Sequence, residues 1–462
     1  VIVGYFVAWS WAAEATWTLE DVLASVEAHH PKIVAAQAGV DGAAATRRGA
    51  EGWWDPVLTV EGGGKSGPYD NAAFSVGVRQ ATPLWGLEAR LGYGLGLGEF
   101  AAYDGDASTL SSGELRVGAT LPLLRGGPTD ASRTAVVLSE ADRTAAEAKL
   151  QLQRVDTYRD ARVAWAKWVA AGEKRTMAQG MLDAAVANAR GVARRIEHGD
   201  LAPFDQIDAD RVVSERAIKV MELEAELSVA AAKLSVYLRD ADGAPVRLAE
   251  APPSRGAHDP LPGGSRDDAV SGALARRPEL LALQAKAEAA DAKVRLARTY
   301  VLPKLDAKVD VAQPLDVADP AFKGTEVKFG GTLSAPLPMR AGRGALDAAT
   351  ADRRAVEAER RWVADNVVAD LDAAWARLVA ADARLTEADR LVSLAREVEA
   401  ATRTAFELGD RTLFDLYLRE QNRLRTELDR ADIAYEREVA AADWLAAQGL
   451  TMPPSSETGT AR

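Results

Sequence analysis

The chain has 462 residues, no cysteine, four histidines and a net charge of −12, with 68 acidic residues against 56 basic ones. Disulfides and thiol catalysis are excluded, a histidine-built metal site has little to draw on, and the acidic balance opposes binding to nucleic-acid phosphates. No Gly-rich phosphate loop, nucleophile elbow or metal-ligand cluster is present, so neither an enzyme nor a cofactor is expected.

The chain begins with an apolar stretch over 1–11 that runs into Ala13-Glu14-Ala15. Residues 1–15 read as the remainder of a secretory signal peptide, with an ordinary buried segment as the alternative. No other apolar run reaches the roughly 18 residues of a transmembrane helix, so any membrane crossing must use strands.

From there the sequence is written twice. Pro31 and Pro56 recur as Pro278 and Pro303 at one constant offset, and Trp165, Gly199 and Asp205 recur as Trp375, Gly409 and Asp415 at another. Internal repetition of this kind sets the architecture before any other signal. A first repeat is expected over 16–240, a linker rich in Pro, Gly and charge over 241–266, a second repeat over 267–450 and a disordered tail over 451–462.

The first repeat opens with a helical pattern over 19–54. The period then falls to two. Phe74, Val76 and Val78 alternate with Ser75, Gly77 and Arg79; Leu91, Tyr93, Leu95 and Leu97 alternate with Arg90, Gly92, Gly94 and Gly96; and Leu115, Val117, Ala119 and Leu121 continue the pattern. These are strands with one apolar face, as in an outer-membrane barrel or the core of a soluble sandwich. A proline-free run over 130–197 follows, rich in Ala, Leu, Glu and Arg. As a helix it would approach roughly 100 Å at about 1.5 Å per residue. A half-length helix is expected over 204–238, with a seam through Val213, Ala217, Val220, Leu223, Leu227, Ala230 and Leu234.

The second repeat answers in order. A helix is expected over 267–302, then strands through Leu305, Ala307, Val309 and Val311 and through Val327, Phe329, Gly331 and Leu333. A long helix over 346–407 and a shorter one over 414–447 close it, the latter with a seam through Tyr417, Gln421, Leu424, Leu428, Ala431 and Tyr435. The fold class is mixed and mainly α, with duplicated long helices and interposed strands. Trp165 and Trp375 fall in helical seams and are expected to pack there.

The duplicated marks are Pro31 with Pro278, Pro56 with Pro303, Leu121-Pro122-Leu123-Leu124-Arg125-Gly126-Gly127 with Ala335-Pro336-Leu337-Pro338-Met339-Arg340-Ala341-Gly342, and Gly199 to Asp205 with Gly409 to Asp415. In this order they resemble the TolC-type outer-membrane efflux channels over nearly the whole chain. The resemblance implies a homotrimer in the cell outer membrane, whose membrane β-strands form one shared barrel continued by a coiled-coil tunnel in the periplasm. It implies a passive exit duct for a tripartite efflux or type I secretion system, in contact with outer-membrane lipid, a periplasmic adaptor protein and an inner-membrane transporter. Closing a barrel of few strands per chain also requires other copies. The rival reading is a periplasmic coiled-coil scaffold with a soluble β cap, which does not account for matching strand pairs in both repeats.

The family narrows its tunnel with an arginine and carboxylates near the second tight turn, which carries over to Arg411 and Asp415. Two positions depart from the pattern: Leu418 stands where a second aspartate is expected, and Phe406 stands in place of a tyrosine. Asp205 and Asp208 are candidates to supply the missing charge. For Asp205 and Asp415, capping of a helix start is an equal reading. The turns Gly199-Asp200 and Gly409-Asp410 are the expected adaptor-docking tips. The family's norm is two strands per repeat, whereas the first repeat here offers four. The extra hairpin near 74–98 could extend a barrel wall or project from it.

Overall fold

The computed structural model describes residues 17–101, 108–240, 242–246, 248, 252, 266–316 and 324–451. The expected signal segment, most of the linker and the tail beyond Thr451 lie outside the described residues. The first repeat forms α1 (Leu19–His29), α2 (Pro31–Glu51), β1 (Val57–Lys65), β2 (Asn71–Ala81), β3 (Glu88–Gly98), β4 (Glu114–Pro122), α3 (Ala131–Glu197) and α4 (Pro203–Leu234). The second forms α5 (Arg266–Arg276), α6 (Pro278–Thr299), β5 (Lys304–Pro314), β6 (Glu326–Ser334), α7 (Arg340–Glu407) and α8 (Leu413–Ala447).

The opening helix of each repeat is broken, a correction to the continuous segments expected over 19–54 and 267–302. The break falls before Pro31 and Pro278 because a proline ring pushes the preceding residue out of the helical region. His30 accordingly sits at φ −72 and ψ 123. Thr18 and Asp21 cap α1 reciprocally, with Asp21 Oδ2 accepting from the Thr18 amide at 2.9 Å. Asp130 starts α3, accepting from the Arg133 amide at 2.7 Å. The first long helix matches its expected span closely, at 67 residues for α3, while α7, at 68 residues, begins at Arg340, ahead of the expected 346.

The chain divides into two compact units built from alternating segments. One comprises residues up to Ala36, Leu150–Pro278 and the chain from Ala364 onward, and among its described residues the regular elements are helices apart from an isolated bridge. Alanine-rich seams hold it together. Ala178 packs with Val220 and Leu223, Ala185 with Val212 and Tyr417, and Ala189 and Val192 with Ala209. Small side chains let these helix surfaces approach closely while each seam removes apolar area from water. Trp168 is fully buried against Trp165 at 5.3 Å, and Trp375 packs on Trp444 at 4.9 Å.

The other unit, Gln37–Lys149 with Glu279–Val363, carries the strands. All six form one antiparallel sheet in the order β1-β2-β3-β4-β5-β6. Beside it Val294, Ala297 and Ala349 join α6 to α7, reinforced by Arg353 on Asp291 at 2.5 Å. Among the described residues no helix is long and apolar enough to cross a membrane.

Candidate functional site

The sheet's two faces differ in chemistry from edge to edge. Register places Leu58 opposite Val78, Val78 opposite Leu91, Leu91 opposite Val117, Val117 opposite Val311 and Val311 opposite Val327. Alternation along each strand extends this row into a continuous apolar face through Val60, Phe74, Leu97, Leu115, Val309, Phe329 and Leu333. These side chains are exposed: Leu91 is 57 %, Leu333 67 % and Phe329 86 % accessible. An apolar surface spanning a six-stranded sheet far exceeds the scattered exposure normal for a soluble protein and marks an interaction surface, for a membrane or for another protein.

The opposite face carries charge and glycine. Arg79 lies opposite Arg90, Arg90 opposite Gly118, Gly118 opposite Asp310 and Asp310 opposite Lys328. Arg90 donates to Asp310 at 3.3 Å, and Arg79 donates to Glu88 at 3.3 Å. Gly77 and Gly92 face each other on the same side. The β2–β3 connection reverses through Trp85 (φ 54) and Gly86 (φ 68), closed by the Leu87 amide on the Leu84 carbonyl at 2.9 Å. Positive φ at both central residues is the signature of a tight hairpin turn matched to strand twist. The extra hairpin is thus paired along both flanks, to β1 and to β4, as an integral part of the sheet.

In the helical unit, the two tight turns are built alike. Gly199 and Gly409 adopt left-handed φ values of 84 and 85. The Asp200 amide returns to the Arg195 carbonyl at 2.8 Å and the Asp410 amide to the Ala405 carbonyl at 2.9 Å. Such caps satisfy carbonyls that a helix end leaves open, and glycine adopts them without a Cβ penalty. After the second turn, Asp415 accepts from the Thr412 amide at 3.1 Å and hydroxyl at 2.8 Å. These bonds hold its carboxyl below the usual range. Asp205 accepts from the Ala202 amide at 3.0 Å, and Asp208 pairs with Arg211 at 2.9 Å. The aspartates therefore cap or pair locally. Arg411 lies beside Asp415, within reach of its charge, while Phe406 receives the Arg195 guanidinium at 5.6 Å from its ring centre.

A charged cluster not expected from the sequence lies in the α7–α8 seam. Glu420 is 2 % exposed and accepts from Arg403 at 2.8 Å and from Asn188 at 3.3 Å. Arg403 also reaches Glu399 at 3.0 Å, Arg423 joins Glu399 to Glu427, and Arg396 holds Glu427 at 2.9 Å. Burial pushes the Glu420 carboxyl up, against the attraction of Arg403. The α8 seam runs through Tyr417, Glu420, Leu424, Glu427 and Ala431, with Glu420 buried where Gln421 was expected and Glu427 buried beside Leu428, which packs against Val220 and Leu223 as expected. Only the short spacing of Glu420 and Glu427 within an apolar stripe hinted at this. A buried cation, Lys174, bridges Glu226 and Asp432 at 3.0 Å each.

Comparison with known proteins follows this geometry. Residues 269–449 match the model of the outer membrane efflux protein family. No curated protein matches the chain. Among solved structures, the outer-membrane channel OprN is 18 % identical with a TM-score of 0.67, over 93 % of this chain and 89 % of its own. The CmeC outer membrane channel of Campylobacter jejuni is 14 % identical with a TM-score of 0.65, over 98 % and 92 %. The open MtrE outer membrane channel of Neisseria gonorrhoeae is 13 % identical with a TM-score of 0.67, over 94 % and 89 %. Residues 269–449 thus match the outer membrane efflux protein family model, and the chain shares the fold of these outer-membrane channels.

Proposed function

We propose that this protein is the subunit of a passive outer-membrane channel, whose strands line a water-filled barrel and whose helices continue the conduit in the periplasm. The observation that carries this reading is the exposed apolar face running unbroken across all six strands, backed by a polar, glycine-rich face. Lipid satisfies the first face and water the second, which is the arrangement of a membrane barrel. With a sheet open at both edges, the subunit functions as an oligomer, and a homotrimer accords with the family's architecture.

In this role the chain is the exit duct for substrates delivered by an inner-membrane transporter through a periplasmic adaptor. The turns at Gly199-Asp200 and Gly409-Asp410 are the adaptor-docking tips, and Arg411, Asp415, Asp205 and Asp208 set the charge of the entrance. Light scattering in detergent is expected to return a trimer that conducts ions in planar bilayers. A monodisperse, water-soluble monomer would instead identify a periplasmic scaffold.

A further inference from the structure

We infer that the end of the sheet nearest the long helices holds a binding site for the phosphate of an anionic phospholipid. Arg125, Arg340 and Arg343 build it around Tyr300, with Leu84, Leu123 and Leu337 against the acyl chains. This deepens the channel reading and rests on it. In that reading the helices lie in the periplasm, so the lipid belongs to the periplasmic leaflet.

The charge of this end departs from that of the chain. The net charge is −12, yet the segments 82–87, 121–128, 295–303 and 335–346, which border β2 to β6 here, contain Arg125, Arg295, Arg298, Arg340 and Arg343 and no acidic residue. Asp55, at the entry to β1, stands at the far edge of the sheet. Cations concentrated on one rim of an acidic protein draw anions to that rim.

Contacts bring the arginines together. Arg125 lies over the Tyr300 ring, 4.5 Å from its centre. Gly342 sits so close to the Tyr300 carbonyl that a Cβ would not fit, which fixes the first turn of α7, with Arg340 and Arg343, beside the same tyrosine. On the other side, Gly86 packs on the Gly126 carbonyl and Trp85 on Gly127, so the β2–β3 turn abuts the segment that carries Arg125. A guanidinium stacked on a ring keeps its N–H donors at the edge, where a phosphate accepts from them. Among the described residues Arg340 and Arg343 have no ion pair, and Asp347, a turn after Arg343, does not reach it. By contrast Arg133, at the start of α3, is held by Asp130 at 2.7 Å and donates to the Pro128 carbonyl at 3.2 Å. Asp306, at the start of β5, is likewise paired, with Lys304 at 3.0 Å.

Depth and apolar neighbours favour a lipid over a free anion. β4 and β6 have nine residues each and β5 eleven, the length that spans a bilayer as a tilted strand, so their ends fall at the headgroup level. Leu84, Leu123 and Leu337 follow the ends of β2, β4 and β6 and are 73 %, 43 % and 86 % accessible. Such side chains beside arginines suit a molecule that carries both an acyl chain and a phosphate. A free phosphate would leave the leucines in water.

The test measures thermal unfolding of the detergent-extracted oligomer with added phosphatidylglycerol, phosphatidylcholine or inorganic phosphate. Phosphatidylglycerol should raise the midpoint by several degrees and phosphatidylcholine by much less, with the difference shrinking in high salt. Arg125→Gln, Arg340→Gln and Arg343→Gln together should remove most of that difference, whereas Lys308→Gln on the sheet's polar face should keep it. Arg340→Gln and Arg343→Gln singly, at exposed positions, should each remove part of it, so the outcome does not depend on the triple variant folding. Conducting protein that shows no preference for phosphatidylglycerol overturns the inference, leaves the channel reading intact and gives this surface to a protein partner. A preference kept in the triple variant or in both single variants, or matched by inorganic phosphate, overturns it equally. A soluble monomer overturns both readings.

Discussion

Arg90 on β3 and Asp310 on β5 form an ion pair across an intervening strand, and they can do so because Gly118 of β4 lies between them. A Cβ at Gly118 would come within 2.1 Å of Asp310 Oδ1 and 3.4 Å of Arg90 Nε. The obstructing atoms are the ends of flexible side chains, so the pair can move aside. Gly118→Ala should therefore cost less than about 1 kcal/mol, the scale of an exposed ion pair. Gly86→Ala should cost more, roughly 1–3 kcal/mol, the scale of local backbone strain. Its Cβ would sit 2.5 Å from the Gly126 carbonyl at a left-handed φ. Denaturant titration in detergent compares the two, and equal costs would contradict this assignment.

The orientation of the sheet predicts an asymmetry between adjacent residues of β5. Val309→Arg on the apolar face should destabilise the assembled protein by about 2–4 kcal/mol if that position lies near mid-membrane. Lys308→Gln on the polar face should change it little. Oligomer yield after extraction reads the difference, and equal tolerance would invalidate the face assignment.

Glu420 predicts a distinctive pH response. Its carboxyl is raised above the ordinary value of 4.5, so the folded protein holds this proton more tightly than the unfolded chain. The resulting stabilisation is complete below the unfolded value and is lost as pH rises through the folded one. The stability of the native protein relative to Glu420→Gln should therefore fall as pH rises above 4.5 and through the raised folded value. Thermal unfolding across that range measures it, and a constant difference would show that the carboxyl is not perturbed by the seam.

At the second turn, replacing Arg411 and Asp415 together with alanine should raise single-channel conductance without dissolving the trimer. Thr412→Ala serves as the control, because it removes the two capping hydrogen bonds of the hydroxyl while leaving both charges in place. If Asp205 and Asp208 add to an acidic entrance, their removal should weaken preference for cations. Unchanged conductance and selectivity in the combined variant would confine these aspartates to capping and local pairing.

The parts of this fold that were legible in the sequence are those fixed by local chemistry. Repeated prolines revealed the duplication, uninterrupted Ala-rich sequence gave α3 and α7, and alternation of Val309 with Lys308 gave a strand and its faces. The break at His30 was legible in principle, since it follows from the residue after it. Strand order was not, because nothing near Phe74 encodes that its hairpin pairs with both β1 and β4. Glu420 was hidden for the same reason. A glutamate in a helix looks solvated until Arg403, on another helix, is brought against it.

The two edge strands also change how a defect would spread in a cell. In the proposed trimer each copy offers one β1 edge and one β6 edge, so a copy damaged at either can still join at the other and weaken closure. In a cell making intact and damaged copies equally, only about one trimer in eight would contain intact copies alone if mixing is random. A lesion on either edge strand would thus be felt in assemblies built largely from normal protein.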